Sequence, residues 1–110
     1  MSVYMYQAVY SKDSISVLVK NPQDRTTSIN GVVEANGGTL IGCWMAFGEY
    51  DLVVIAEMPS DEAMASVVLA VSAVGTTAGG KTTKLLTMEQ AVKAMAGAQG
   101  VVNNYSPPSN

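Results

Sequence analysis

The stretch TLIGCWMAFGEYDLVVIAE, residues 39–57, decides the fold. It holds two β-forming runs, Thr39–Phe47 and Tyr50–Glu57, on either side of Gly48-Glu49. Glycine can supply the positive φ that a type II′ turn demands at its first central position, so the segment reads as a two-residue hairpin. Directly downstream, Pro59-Ser60-Asp61-Glu62 opens a helix, with Ser60 as the cap and two carboxylates in the electropositive first turn. Met64, Val67, Val68, Val71 and Val74 form its apolar stripe, and Gly75 stands where a C′ residue belongs. Upstream, Gly37-Gly38 ends a helix whose stripe is Ile29, Val32 and Val33. Asn21 suits its cap, Pro22 its first position and Asp24 its first turn. A shorter helix capped by Asp13 carries Ile15 and Leu18.

At the two ends of the chain the pattern returns to strands. Val3–Tyr10 alternates, with Val3, Met5, Gln7 and Val9 on one face and Tyr4, Tyr6, Ala8 and Tyr10 on the other. Lys81–Leu86 reads as a fourth, more exposed strand. Thr87-Met88-Glu89-Gln90 has the spacing of a capping box, and Met88, Ala91, Val92 and Met95 line a last helix ending near Gly97. The expected organisation is one domain over residues 1–97 and a tail over 98–110 rich in Gly, Asn, Ser and Pro. The order is β-α-β-β-α-β plus a terminal helix. This is the α+β, ferredoxin-like βαββαβ arrangement: a four-stranded antiparallel sheet with helices on one face. The other face is then bare. Neither parity of Val3–Tyr10 is polar, so the bare face needs a cover, and the simplest cover is the sheet of a second copy. Composition agrees: of 110 residues 48% are hydrophobic and only 14% charged, too little charge to clothe a monomer. A homodimer is expected, with a trimer as the alternative.

Composition disfavours several functions. The net charge is -3 and the six basic residues are scattered, which speaks against nucleic acid as a partner. Histidine is absent, removing imidazole acid/base chemistry, His-ligated haem and most zinc sites. The lone Cys43 allows no intramolecular disulfide and reads as a small buried hydrophobe. The seven methionines are dispersed on apolar stripes and act as core filler rather than metal ligands. No cofactor and no metal are called for. The N-terminal residues do not read as a signal peptide, and the most apolar run, Ala63–Val74, is too short to span a bilayer. The expectation is a cytoplasmic protein without a membrane partner. Gly75-Thr-Thr-Ala-Gly-Gly80-Lys81-Thr82 fits the P-loop pattern, yet a P-loop follows a strand and opens a helix. Here a helix precedes it and a strand follows, so the glycines are read as permitting a turn.

The hairpin Phe47-Gly48-Glu49-Tyr50-Asp51 resembles the signature of the GYD-domain family. Arg25–Gly38, Asp51–Glu62 and Thr82-Thr83 resemble the same family, so the likeness covers Val3 to Met95. It implies membership of the dimeric α/β-barrel group, in which ferredoxin-like protomers pair sheet to sheet. It implies no shared reaction. The reading is a small oligomeric protein that binds a small molecule or serves assembly. The alternative is a cofactor-independent isomerase or monooxygenase of the dimeric-barrel kind, with Tyr, Asp or Glu moving protons in a cavity between helices and sheet. The candidate ligand-binding residues are Tyr4 and Tyr6 on one strand face, Trp44 walling the pocket from across the third strand, and Tyr50 and Asp51 at the rim. For Asp51 a second reading stands beside this one, in which its carboxylate bonds nearby backbone amides.

Overall fold

Alternation in the first strand sorts the whole molecule into two sides. A computed structural model describes residues 1–109; the final residue of the expected tail, Asn110, lies outside the described residues. Strand β1 (Ser2–Tyr10) buries Tyr4, Tyr6, Ala8 and Tyr10 and leaves Val3, Met5, Gln7 and Val9 half-buried. It pairs antiparallel with β3 (Leu52–Met58) on one side and β4 (Thr77–Leu85) on the other, and β2 (Thr39–Met45) closes the far edge. The sheet order is β2-β3-β1-β4. Helices α1 (Lys12–Lys20), α2 (Thr26–Ala35) and α3 (Asp61–Ala73) occur where the ferredoxin-like order puts connections, and α4 (Met88–Val101) follows the last strand. The core is Tyr4, Tyr6, Ala8, Val33, Val54, Ala56, Met58, Met64 and Val67, from one face of the sheet together with α2 and α3.

The helix signals hold with shifted boundaries. Ser60 caps α3 by accepting from the Ala63 amide at 3.1 Å, and Gly75 adopts φ +79 just after it, the left-handed conformation that glycine takes without steric cost. Thr87 and Gln90 form the full capping box. Two starts move. Ser11 rather than Asp13 caps α1, taking the Ser14 amide at 3.1 Å. Helix α2 begins at Thr26, not Pro22, because the Asp24 carboxylate accepts from the Thr26 amide at 2.9 Å and its hydroxyl at 2.6 Å. The last helix runs to Val101 and a 3-10 turn follows at Val102–Asn104, so helical structure continues past Gly97 into the expected tail.

The hairpin is not a two-residue turn. Residues 46–51 form a six-residue loop, closed by the Ala46 amide on the Asp51 carbonyl at 2.7 Å. Among the described residues the positive-φ positions are Gly37 and Gly75, and Gly48 is not one of them. A six-residue loop turns the chain without the mirror-image dihedrals a two-residue turn requires. Strand β4 also begins earlier than Lys81, so Gly79 and Gly80 lie in extended chain paired with Val9 and Ala8. A phosphate-cradling loop is thereby absent from the P-loop match. The tight approach of Tyr6 explains one glycine: a Cβ on Gly80 would lie 2.7 Å from its Cε1 and 2.7 Å from the Gln7 carbonyl oxygen.

Two irregularities steer side chains. Between Leu40 and Gly42 the β2–β3 register shifts, leaving Ile41 as the extra residue. Strict alternation from Leu40 would send Trp44 to the helix side; the bulge flips the parity, and Trp44 pairs with Val53 on the open face. A second shift, at Val9/Tyr10, brings Thr77 opposite Tyr10 in place of Ala78.

The far side of the sheet carries Val3, Met5, Val9, Val53, Ile55 and Trp44, opposite the face on which α2 and α3 pack. Among the described residues helix α4 makes no extensive contact with any strand, and its stripe is exposed, Met88 at 76%, Val92 at 61% and Met95 at 63%. The chain measures 60 × 36 × 22 Å with a radius of gyration of 17.9 Å. A compact domain of this length has about 13 Å. Among the described residues no helix is long and apolar enough to cross a membrane.

Candidate functional site

A cavity of about 240 Å³ lies between the sheet and the helices α2 and α3. Its walls are mostly aliphatic: Ile29 and Val32 from α2, Leu52 and Val54 from β3, Val67 and Val71 from α3. Residues 25, 29 and 32 fall at i, i+4 and i+7, so Arg25, just before α2, lies over the same face as that helix's apolar stripe and lines the cavity too. Tyr6 and Tyr10 reach it from β1 and Thr77 from β4. Two adjoining grooves of about 360 and 330 Å³ share Tyr10 and Arg25 with it, so these two residues stand where three concavities meet.

The polar groups fall into two sets. At one end the Tyr6 hydroxyl donates to Thr77 Oγ1 at 3.3 Å, Thr77 Oγ1 is 3.3 Å from Ser72 Oγ, and Ser72 Oγ donates to the Val68 carbonyl at 2.8 Å. Because the Ser72 hydrogen is spent on that carbonyl, Thr77 donates to Ser72 and accepts from Tyr6. Every hydrogen in the chain therefore points towards α3. At the other end, Arg25 donates from Nη1 to Gln23 Oε1 at 3.0 Å and makes no ion pair among the described residues. Burial pushes the Tyr10 hydroxyl above its ordinary pKa, the Arg25 charge opposes that shift, and Cys43 and Asp51 add to it.

The five sequence candidates do not share one place. Tyr6 lines the cavity. Tyr4 borders a separate groove of about 450 Å³ with Asp61, Met64, Leu69, Thr82 and Lys84. There its hydroxyl donates to the Asp61 carboxylate, which Lys84 also meets at 3.0 Å, and the ammonium sits 5.7 Å from the Tyr4 ring centre. The hydrogen bond to Asp61 raises the Tyr4 pKa, while the Tyr4 hydroxyl and then Lys84 hold Asp61 below the ordinary carboxylate value. This triad ties the start of α3 to β1 and β4. Trp44 projects from the opposite face, its ring against Gly42, and is not brought to Tyr4 or Tyr6. Tyr50 borders the loop groove with Gln7, Phe47 and Lys81. The Asp51 carboxylate accepts from the Tyr10 amide at 3.0 Å and the Asp51 amide donates to the Ala8 carbonyl at 2.9 Å, which extends the β1–β3 pairing. Arg25 and Thr77 were not candidates. The heptad-like spacing of Arg25, Ile29 and Val32 was the signal for the first, whereas the bulge that turns Thr77 inward leaves no mark in sequence. No group of three or more His, Cys, Asp or Glu able to hold a metal occurs among the described residues.

Comparison with known proteins gives one family match: the model of the GYD domain covers residues 4–95. No curated protein matches. Among solved structures the crystal structure of FFRP-DM1 matches with 13% identity and a TM-score of 0.48, over 78% of this chain and 100% of that one.

Proposed function

The chain belongs to the GYD-domain family, and from that premise we propose that it is a homo-oligomeric binding protein for a small molecule held between its helices and sheet. The cavity at Tyr6, Tyr10 and Arg25 carries the reading: it is largely aliphatic, with a few converging polar groups, the usual make-up of a ligand site. Binding is favoured over catalysis by the lining itself. No carboxylate lines the cavity among the described residues, and the Tyr10 hydroxyl keeps its proton, so proton abstraction has no base there.

Self-association is supported by two uncovered apolar surfaces in one chain, the open sheet face and the α4 stripe. A sheet-on-sheet pair would bury Val3, Met5, Val53 and Ile55, and the domain otherwise gains nothing from holding them half-exposed. Native mass spectrometry of protein purified from its own host tests both halves together. The expected species is a dimer or trimer carrying a small organic adduct. A bare monomer at micromolar concentration refutes the proposal.

A further inference from the structure

We infer that the cavity takes a small organic anion, a carboxylate on a compact apolar body, with Arg25 and the Tyr10 hydroxyl receiving the charge. The inference rests on the binding reading above and adds the chemical class of the ligand. It follows from counting which donors and acceptors remain unspent. The Tyr6–Thr77–Ser72 chain ends on the Val68 carbonyl, so it presents no free hydrogen to the cavity and only the Tyr6 oxygen as an acceptor. At the other end stand the Arg25 guanidinium, which can only donate, and the hydroxyls of Tyr10, Ser28 and Thr76, each able to donate. The guanidinium of Arg25 has five N–H groups and spends one on Gln23 among the described residues. The Tyr10 hydroxyl, on a residue only 8% exposed, has no acceptor among them. Burial holds its proton in place, which keeps it a donor.

Among the described residues no carboxylate pairs with Arg25; Asp13 borders an adjoining groove with it but makes no ion pair. Asp24 turns to the Thr26 amide and hydroxyl, and Asp51 to the Tyr10 amide; neither lines the cavity. A half-buried cation facing an aliphatic chamber is costly unless paired, and the missing partner is an acceptor of opposite charge attached to something apolar. A neutral apolar guest would fill the chamber and leave both donors unmet. A phosphorylated or polyanionic guest would carry more charge than one guanidinium and one hydroxyl can receive.

Octanoate and 1-octanol, matched in length and different in head group, serve as the probes. Affinity is measured on the full chain by calorimetry, with methyl resonances of Val67 and Val71 reporting occupancy. Octanoate should bind about tenfold or more tighter than 1-octanol at low salt. Arg25→Gln should bring octanoate down to the level of 1-octanol and leave 1-octanol unchanged; Tyr10→Phe should weaken octanoate several-fold. Should Arg25→Gln not fold, raised salt applied to the wild type replaces it, weakening octanoate alone. Equal binding of the two probes, or octanoate indifferent to both Arg25→Gln and salt, overturns the anion inference while the cavity reading stands. Failure of both probes to bind or to move the Val67 and Val71 methyls overturns the cavity reading, and this inference with it.

Discussion

Gly79 and Gly80 are neighbours in one strand, yet adding a methyl group to each should have opposite results. At Gly79 a Cβ meets nothing within 4 Å. Gly79→Ala therefore only removes backbone freedom from the unfolded chain, and should be neutral or stabilising by about 0.5 kcal/mol. At Gly80 the new atom would sit 2.7 Å from the Gln7 carbonyl oxygen and 2.7 Å from Tyr6 Cε1. One neighbour is backbone inside the β1–β4 ladder and the other is a core ring, so neither can swing aside cheaply. Overpacking of this kind costs roughly 1–3 kcal/mol. Moving the Tyr6 ring also stretches its 3.3 Å bond to Thr77 and opens the hydroxyl chain. A loss of about 2 kcal/mol corresponds to a fall on the order of 10 °C in melting temperature for a domain of this size. Thermal and urea unfolding of both variants, at one fixed protomer concentration, makes the comparison. Equal melting temperatures would refute the packing account of this glycine pair.

Three further outcomes follow from the geometry. Gly48→Val should change stability by less than about 0.5 kcal/mol, because Gly48 has no positive φ and open space where a side chain would go; urea midpoints check this. The pKa of Asp61 is held below 3.8 chiefly by the Tyr4 hydroxyl and then by Lys84, so the stability it contributes is complete above that value and is lost as pH falls through the lower folded value. Melting curves from about pH 6 to about pH 2 should accordingly show a shallower acid decline in Asp61→Asn than in the wild type, and identical slopes would contradict the triad. Thr87→Ala removes the capping box and should weaken α4 locally by about 1 kcal/mol, lowering far-UV helicity while the melting of the sheet domain stays put.

Much of the architecture was legible because local chemistry and tertiary packing agree. The Tyr4-Tyr6-Ala8-Tyr10 parity, the Ser60 cap, the Thr87–Gln90 box and Gly75 at C′ each carry their own physical reason, and all stand in the structure. What escaped was set by partners distant in sequence. Gly79-Gly80 has poor strand propensity, and it is extended because β1 pairs with it and Tyr6 lies over it. The Asn21-Pro22 pair looked like a helix start, but the Asp24 carboxylate supplied the bonds that count. The β2 bulge at Ile41, invisible to alternation, moved Trp44 away from the tyrosines. At the site, residue types guided the reading to aromatic rings and acids. Arg25 and the one tyrosine of the β1 row left out of the candidates both carry unspent donors there, and a donor becomes recognisable as unspent only once its neighbours' bonds are known.

Helix α4 has a thermodynamic position of its own. A 14-residue helix with Gly97 and Gly100 in its sequence stands near the limit at which nucleation cost defeats propagation in water. Its capping box offsets part of that cost, and among the described residues no strand packs extensively against it. In the proposed oligomer a second copy would supply the free energy that keeps residues 88–101 wound, making winding and encounter a single equilibrium. Diluting the protein should unwind this segment before anything happens to the sheet. Amide hydrogen exchange across Met88–Val101 thus becomes a gauge of protein concentration, while exchange across β1 remains a gauge of the fold.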